Sequence, residues 1–439
     1  MHKALFLIPS LLYFSSVQAD TLQDAIHITL KTNPDVLAAI SERQAVSKEI
    51  DQARAGYFPT IDLGVGTGWE STDNPATRSG GKGEVHHNRD EASLNLRQML
   101  YDGSLTKNEV ERQTARTDSR AHSVYSVAEN TALQAVEAYL DVLRRQELVA
   151  LAQTNLESHQ RTHDQITLRS EQGVGRRADM EQSLGRLALA ETNLMAEQSN
   201  LRDAETNYLR VVGAAPTSLT DPASPESSLP MDIDHAIDMA IQHHPTLRTA
   251  QADLASANAQ HDVTRAAFLP RVDFELGTRA DHDIDGVRGS DKDITAMFRL
   301  RYNLLNGGRD KARREETAFL INQAAEIRNN TRREVEQSVR LSWNALETVR
   351  RQMSYFEQYA ESAEKTRDAY QQQFNIGQRT LLDLLDSENE LFRSRISLTN
   401  AQYDELFTMY RVLNSTGMLL ESLDIIAPAA ATTVADSRN

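Results

Sequence analysis

The chain contains no cysteine in 439 residues. Disulfides, metal–thiolate centres and thiol nucleophiles are therefore excluded, and a lipid anchor built on an N-terminal cysteine is not expected. Proline and glycine are scarce, 11 and 19 residues, which suits long uninterrupted helices better than many short domains joined by linkers. Positive charge is in deficit: 47 Lys and Arg against 63 Asp and Glu give a net charge of -16. That balance excludes nucleic acid as a partner, because phosphate binding needs a basic face. Long apolar runs are missing too, and the mean hydropathy is -0.52. A chain of this kind that crosses a membrane must do so as a closed barrel.

The opening residues read as a secretory signal. Lys3 gives a small positive start, Ala4 to Leu12 is apolar, and Val17-Gln18-Ala19 resembles a cleavage site. The expected signal peptide is residues 1–19, with the mature chain from Asp20. The apolar run is far shorter than the ~20 residues of a membrane span.

What is present in abundance is repetition. Ala25-Ile26 and Asn33-Pro34 recur as Ala236-Ile237 and His244-Pro245, a shift of 245 − 34 = 211. The same shift carries Arg54-Ala55-Gly56-Tyr57-Phe58-Pro59 onto Arg265-Ala266-Ala267-Phe268-Leu269-Pro270. Further on the shift becomes 204, taking Asp102-Gly103 to Asn306-Gly307, Gly173 to Gly377, Asp179 to Asp383 and Gly213 to Gly417. The expected division is a first repeat over 20–213, a Pro/Ser/Ala-rich linker over 214–230, a second repeat over 231–426 and a disordered tail over 427–439.

Each repeat follows one plan. A helix is predicted to begin near Pro34 (Pro245), run to Tyr57 (Phe268) and stop at Pro59 (Pro270). The period then switches to two. Ile61, Leu63, Val65 and Trp69 alternate with Asp62, Gly64, Gly66 and Gly68; Leu94, Leu96 and Leu100 alternate with Ser93, Asn95, Arg97 and Met99. In the second repeat Val272, Phe274 and Leu276 alternate with polar residues, as do Ile294, Ala296, Phe298, Leu300, Tyr302 and Leu304. Two hairpins are thus predicted, at about 60–101 and about 271–304. Strands apolar on one face and polar on the other are the signature of an outer-membrane barrel. Tyr57, Phe58, Trp69, Tyr101 and Tyr302 fall at or near strand ends, where interfacial aromatics belong.

Past each hairpin lies a very long helical stretch. Leu105 to about Ser170 has neither proline nor glycine, enough for roughly 100 Å of helix at 1.5 Å per residue. Leu133, Val136, Leu140 and Leu143, and again Leu346, Val349, Met353 and Phe356, are spaced 3-4-3. Leu187, Leu194, Leu201 and Tyr208 fall every seven residues on the returning helix. Such heptads predict antiparallel coiled-coil hairpins, turning at Gly173-Val174-Gly175 and at Gly377. Four strands cannot close a barrel, and open edges are not tolerated in lipid. Several copies must therefore pool their strands; three would give twelve, within the known range.

The twofold plan of helix, β-hairpin and coiled-coil hairpin resembles the TolC outer-membrane efflux family across essentially the whole mature chain. Specific echoes are Ala138-Tyr139-Leu140-Asp141-Val142-Leu143 and the run from Phe374 to Asp386. The resemblance implies a mainly α fold with a β-barrel part: long coiled-coil helices and four transmembrane strands per protomer, in a homotrimer with a twelve-stranded barrel. It implies a place in the outer membrane with the helices in the periplasm, a periplasmic adaptor protein and an inner-membrane transporter as partners, no cofactor and no catalytic activity. Lacking a lipidation cysteine, and by its Leu168 to Leu194 segment, the chain looks closest to the type I secretion branch, which pairs with an ABC transporter and exports proteins. Multidrug efflux is the alternative within the family. A soluble periplasmic coiled-coil scaffold is the alternative from another class.

The same resemblance assigns roles at the periplasmic entrance. The tips carry Gly173, Gly175 and Gly377 as adaptor-docking positions. Asp383 and Asp386, three apart on a helix, share a face and would form an acidic constriction of six carboxylates in a trimer. Arg379 matches the tip arginine and Asp179 its carboxylate partner on the neighbouring hairpin, an entrance latch held by a charge-assisted bond. Phe374 stands where a tyrosine is frequent, so one latch hydrogen bond is expected to be missing. Other chemistry is set aside. His86-His87 and His243-His244 are adjacent pairs that point apart and are expected at the surface, in the first-hairpin loop and at a helix junction. The run Asp281-His282-Asp283-Ile284-Asp285-Gly286 opens like a calcium loop but has Lys292 where a bidentate Glu is required.

Overall fold

The structure, a computed structural model, describes residues 21–434, so the expected signal peptide and the last five residues lie outside it. The first repeat contains α1 (Leu22–Thr32), α2 (Pro34–Arg54), β1 (Thr60–Thr72), α3 (Pro75–Ser79), β2 (Val85–Tyr101), α4 (Leu105–Glu171) and α5 (Arg177–Val212). The second contains α6 (Ile233–His243), α7 (Pro245–Thr264), β3 (Arg271–His282), β4 (Ser290–Arg301), α8 (Arg309–Asn375) and α9 (Leu381–Thr416), with the short α10 (Leu419–Ser422) behind it. The 204-residue shift holds to the residue: 105 + 204 = 309, 171 + 204 = 375, 177 + 204 = 381 and 212 + 204 = 416.

Two helices ahead of the expected ones were not foreseen. The helix expected from Pro34 is preceded by α1, and that from Pro245 by α6. Each pair breaks at the residue before proline, because the pyrrolidine ring forces that residue out of the helical region. Asn33 and His244 are accordingly extended, with ψ of 126° and 122°. The short 3-10 turns Ala55–Tyr57 and Arg265–Phe268 then end α2 and α7 ahead of Pro59 and Pro270.

The chain falls into two compact units. One takes residues 40–124, 246–332 and 429–434; its centre is a single antiparallel sheet of order β1-β2-β3-β4. Cross-strand rows such as Leu63–Leu94–Thr278–Ile294 and Ile61–Leu96–Leu276–Ala296 put the apolar residues on one side. Nothing among the described residues covers them: Leu63, Val65, Phe298 and Ile294 are each 74–79% exposed. Two soluble hairpins packed on a core would bury this face. Glycines 64, 66 and 68, Asp62, Asn95, Glu275 and a set of arginines occupy the other side. β2 is bulged against β3 between Met99 and Tyr101, and β4 ends at Arg301, so Tyr302 and Leu304 lie beyond the strand.

Two expectations are corrected here. His86 and His87 are in β2, not in the hairpin loop; they oppose Ser71 and Glu70, and the His86 ring stacks on Trp69 at 5.2 Å. The loop that remains is closed by α3, which Asn74 caps by accepting the N–H groups of Ala76 and Thr77. The tail is not disordered as far as Val434: Arg43 donates to the Thr432 carbonyl and the Val434 N–H to Asp118, at 3.2 and 2.7 Å.

The other unit takes residues 21–39, 125–245 and 333–428. Its core includes Tyr139, Tyr208, Val212 and Leu413, and a cluster of Ala236, Ile237, Ala240, Val335 and Val339 seats α6 on α8. Gly213 and Gly417, at φ +84° and +77°, end α5 and α9 in the left-handed conformation that glycine adopts freely. A Cβ at Gly417 would stand 2.8 Å from the Pro245 ring. The 214–230 segment is strapped down: the Tyr139 hydroxyl donates to the Thr220 carbonyl and accepts its N–H, and Tyr410 donates to the Ala223 carbonyl. His244, expected at the surface, is partly buried, and burial pulls its imidazole down to about 4.

The deepest charged group in this unit is Glu129 of α4, 2% exposed. It accepts the free N–H groups of Leu419 and Leu420 at 3.2 and 3.0 Å, capping the start of α10, and Asn414 approaches it at 3.4 Å. Burial dominates over these donors and pushes its carboxyl from 4.5 up to about 7, with Glu421 adding repulsion. A folded-state value above the unfolded one means that the contribution to stability is whole below about 4.5 and is withdrawn as pH rises through about 7. Thermal unfolding of Glu129→Gln should therefore match wild type in mild acid and exceed it by a few degrees in mild alkali. A difference that is flat with pH would remove Glu129 from this role.

Candidate functional site: the two helical tips

The tips are built by two linked glycine turns. α4 ends with Gly173 at φ +76°, the Val174 N–H bonded back to the Arg169 carbonyl at 3.0 Å and the Gly173 N–H to Ser170 at 3.1 Å. α8 ends the same way: Gly377 is at φ +77°, the Gln378 N–H reaches the Gln373 carbonyl at 2.8 Å and the Gly377 N–H reaches Phe374 at 3.1 Å. This paired pattern satisfies two otherwise orphaned helix-end carbonyls. Gly175 is needed for room, since a Cβ there would stand 2.8 Å from the Ser170 nitrogen. The residues between these glycines and beside them face solvent, Val174 at 78% and Ile376 at 69% exposure.

The returning helices start differently. Thr380 and Asp383 form a reciprocal cap on α9: the Asp383 N–H donates to the Thr380 hydroxyl, and the Thr380 N–H and hydroxyl donate to the Asp383 carboxylate at 3.2 and 2.8 Å. These bonds, the hydroxyl first, hold the Asp383 carboxyl below its usual range, with Arg379 adding to them. The equivalent of Thr380 in the first repeat is Arg176, which makes no side-chain cap, although Asp179 keeps the position of Asp383.

Asp386 lies one turn on and pairs with Arg186 of α5 at 2.7 Å. The two carboxylates expected to act together thus have separate partners, one along its own helix and one across to the next. Arg379 does not meet Asp179 within the chain. Its Nε donates to Gln373 at 2.9 Å, its guanidinium lies 4.3 Å over the Tyr370 ring, and Asp383 is 3.9 Å away. Phe374 is turned inward, only 7% exposed, in a cluster with Ile166, Leu381, Leu384 and Leu385, and the Arg169 guanidinium covers its ring at 5.1 Å. A phenylalanine therefore supplies hydrophobic packing here that a solvated latch residue would not.

Sequence reasoning missed Arg186, Tyr370 and Gln373, each a partner of a residue it did single out. Nothing in the local spacing marks them. The Thr380-Leu381-Leu382-Asp383 cap, in contrast, is a legible pattern. Among the described residues no cluster of His, Asp and Glu is arranged to hold a metal, and no helix is long and apolar enough to cross a membrane. The arrangement offers a charged, glycine-turned tip, not a reacting centre.

Comparison with known proteins bears on what such a tip serves. The model of the family described as "Outer membrane efflux protein" matches residues 25–214 and 236–417. The chain is 26% identical to the outer membrane efflux protein BepC of Brucella suis, over 91% of this chain and 86% of that protein. It is 24% identical to the alkaline protease secretion protein AprF of Pseudomonas aeruginosa, over 92% of this chain and 86% of that one. In fold it is similar to the crystal structure of the Campylobacter jejuni CmeC outer membrane channel, with a TM-score of 0.79 at 15% identity, covering 91% and 86% of the two chains.

The packing of Phe374 sets a test of how the second tip is held. Phe374→Ala should cost about 3 kcal/mol of local stability, read as faster amide exchange around residues 370–385. Leu382→Ala, at an exposed position, should change exchange there by less than about 0.5 kcal/mol. Equal effects would mean that the cluster does not hold the tip.

Proposed function

The chain belongs to the outer membrane efflux protein family, and on that footing we propose that it is the outer-membrane channel-tunnel of a type I secretion system, exporting proteins received from an inner-membrane ABC transporter. It is an outer-membrane efflux or secretion channel protein with a periplasmic helical part, and it is not an enzyme. Channels of this family are trimeric and work with periplasmic adaptors and inner-membrane transporters. The observation that carries the channel reading is the four-stranded sheet, apolar on one face, polar on the other and open at both edges. Protein export is favoured by the likeness to a protease secretion protein. Drug efflux is the second reading, favoured by the likeness to BepC.

In the proposed assembly the two tips are the periplasmic entrance. Gly173, Gly175 and Gly377, with the exposed Val174 and Ile376 beside them, present the surface to which the adaptor docks. Asp383 and Asp386 of three copies ring the opening. Arg379 gives up Gln373 for Asp179 of a neighbouring copy to close it.

Deletion of the gene separates the two transport readings. Export of protein predicts that one or a few proteins vanish from the culture medium while drug sensitivity is little changed; a broad rise in drug sensitivity with an unchanged medium would reverse the assignment. At the entrance, Asp383→Asn/Asp386→Asn channels in planar bilayers should lose most of their preference for cations over anions. Unchanged ion selectivity would end the constriction proposal.

A further inference from the structure

The polar face of the sheet is not evenly charged. At the strand ends that join the helices, four arginines, Arg97, Arg271, Arg299 and Arg301, stand over only two carboxylates, Asp273 and Glu275. Arg301 bridges both acids at 2.6 Å, Arg271 holds Asp273 at 3.0 Å, Arg299 holds Glu275 at 2.7 Å, and Arg97 is 3.6 Å from Glu275. The layering is one-sided. Asp273 is 0% and Glu275 19% exposed, while the four arginine side chains are 42–57% exposed. The acids form a floor, and the guanidiniums lie over it with donors still facing outward.

Towards the far end of the strands the balance reverses. There Arg89 and Arg279 share the face with Glu70, Glu91, Asp281, Asp291 and Asp293, while Asp62 lies one row from Arg97 and counts with the helix end. One protomer therefore carries 4 − 3 = +1 at the helix end and 2 − 5 = −3 at the other. Pair neutralisation alone would have been served by equal numbers. A surplus of guanidiniums over buried acids leaves a face that accepts further anions, bidentately where they are carboxylates.

We propose that these arginines form a basic girdle inside the barrel that binds the carboxylates of extended acidic polypeptide as it passes. The inference rests on the reading that the polar face lines a shared pore. Repeated around that pore, the girdle engages a chain at several points at once, so an extended acidic segment is held better than a single small anion. Its attraction falls with salt, as that of partly solvated charges must. The acidic stretch beyond it repels the same segment, so binding at the girdle is a passing stage and not a trap.

The test uses the purified full-length channel in planar bilayers, with decaglutamate added on either side. The peptide should block the open-channel current, less so as salt rises, and a neutral glycine–serine peptide of equal length should not. Glu275→Gln, which frees Arg97 and Arg299 and leaves Arg301 on Asp273 alone, should tighten the block severalfold. Arg299→Gln/Arg301→Gln in that same Glu275→Gln background leaves no acid stranded, keeps Asp273 on Arg271, and should weaken the block about tenfold with conductance retained. Equal block by the neutral peptide, or unchanged block in the triple variant, would overturn the girdle alone. Absence of any open-channel current from the wild-type protein would overturn the pore reading beneath it.

Discussion

Every peptide group placed in lipid must find its hydrogen-bond partner within protein, because hydrocarbon offers none. The sheet meets that demand for β2 and β3, each paired on both sides, and leaves it unmet along one edge of β1 and one edge of β4. Its apolar face makes the same demand in another form, since Leu63, Val65, Ile294 and Phe298 are uncovered in the single chain. Lipid answers the second need and more strands answer the first. Joining the β4 edge of one copy to the β1 edge of the next meets both with no new element. The protomer is therefore a segment of a pore, and its polar face becomes the wall.

The internal repeat serves the same end. Two hairpins and two pairs of 67- and 36-residue helices with matching ends give each protomer twofold character. The copies differ where a channel of this kind has to work. The first repeat has the longer outer loop, with α3 in it, and the second has the fully capped tip. Arg176 where the other tip has Thr380 leaves Asp179 without the cap that occupies Asp383.

The parts legible in the sequence were those set by spacing along the chain. A period of two, heptads, prolines before helices and glycines after them are local signals, and they located both hairpins and all four long helices. The breaks before Pro34 and Pro245 were visible, but the short helices ahead of them were not, since α1 and α6 are each 11 residues and need the rest of the unit to bury one face. His86 and His87 looked like loop residues because polar side chains at the outer end of a strand break the alternation. The tail looked disordered from its alanines, yet two hydrogen bonds fix it to residues hundreds of positions away. At the tips, Arg379, Asp386 and Phe374 were recognised as important and their partners were not. Gln373, Tyr370 and Arg186 are chosen by how turns and helices pack, which no spacing rule encodes.

The absence of cysteine makes the central claim open to direct measurement. β1 and β4 are the two edges of one sheet, three strand spacings or about 14 Å apart, well beyond the ~7 Å that a disulfide can bridge. Val65→Cys can be combined in turn with Ile294→Cys, Ala296→Cys and Phe298→Cys, and the protein oxidised in outer-membrane preparations. A shared barrel predicts, for at least one pair, covalent dimers and trimers that end at three copies and collapse to monomer on reduction. Monomer alone from every pair would contradict the account.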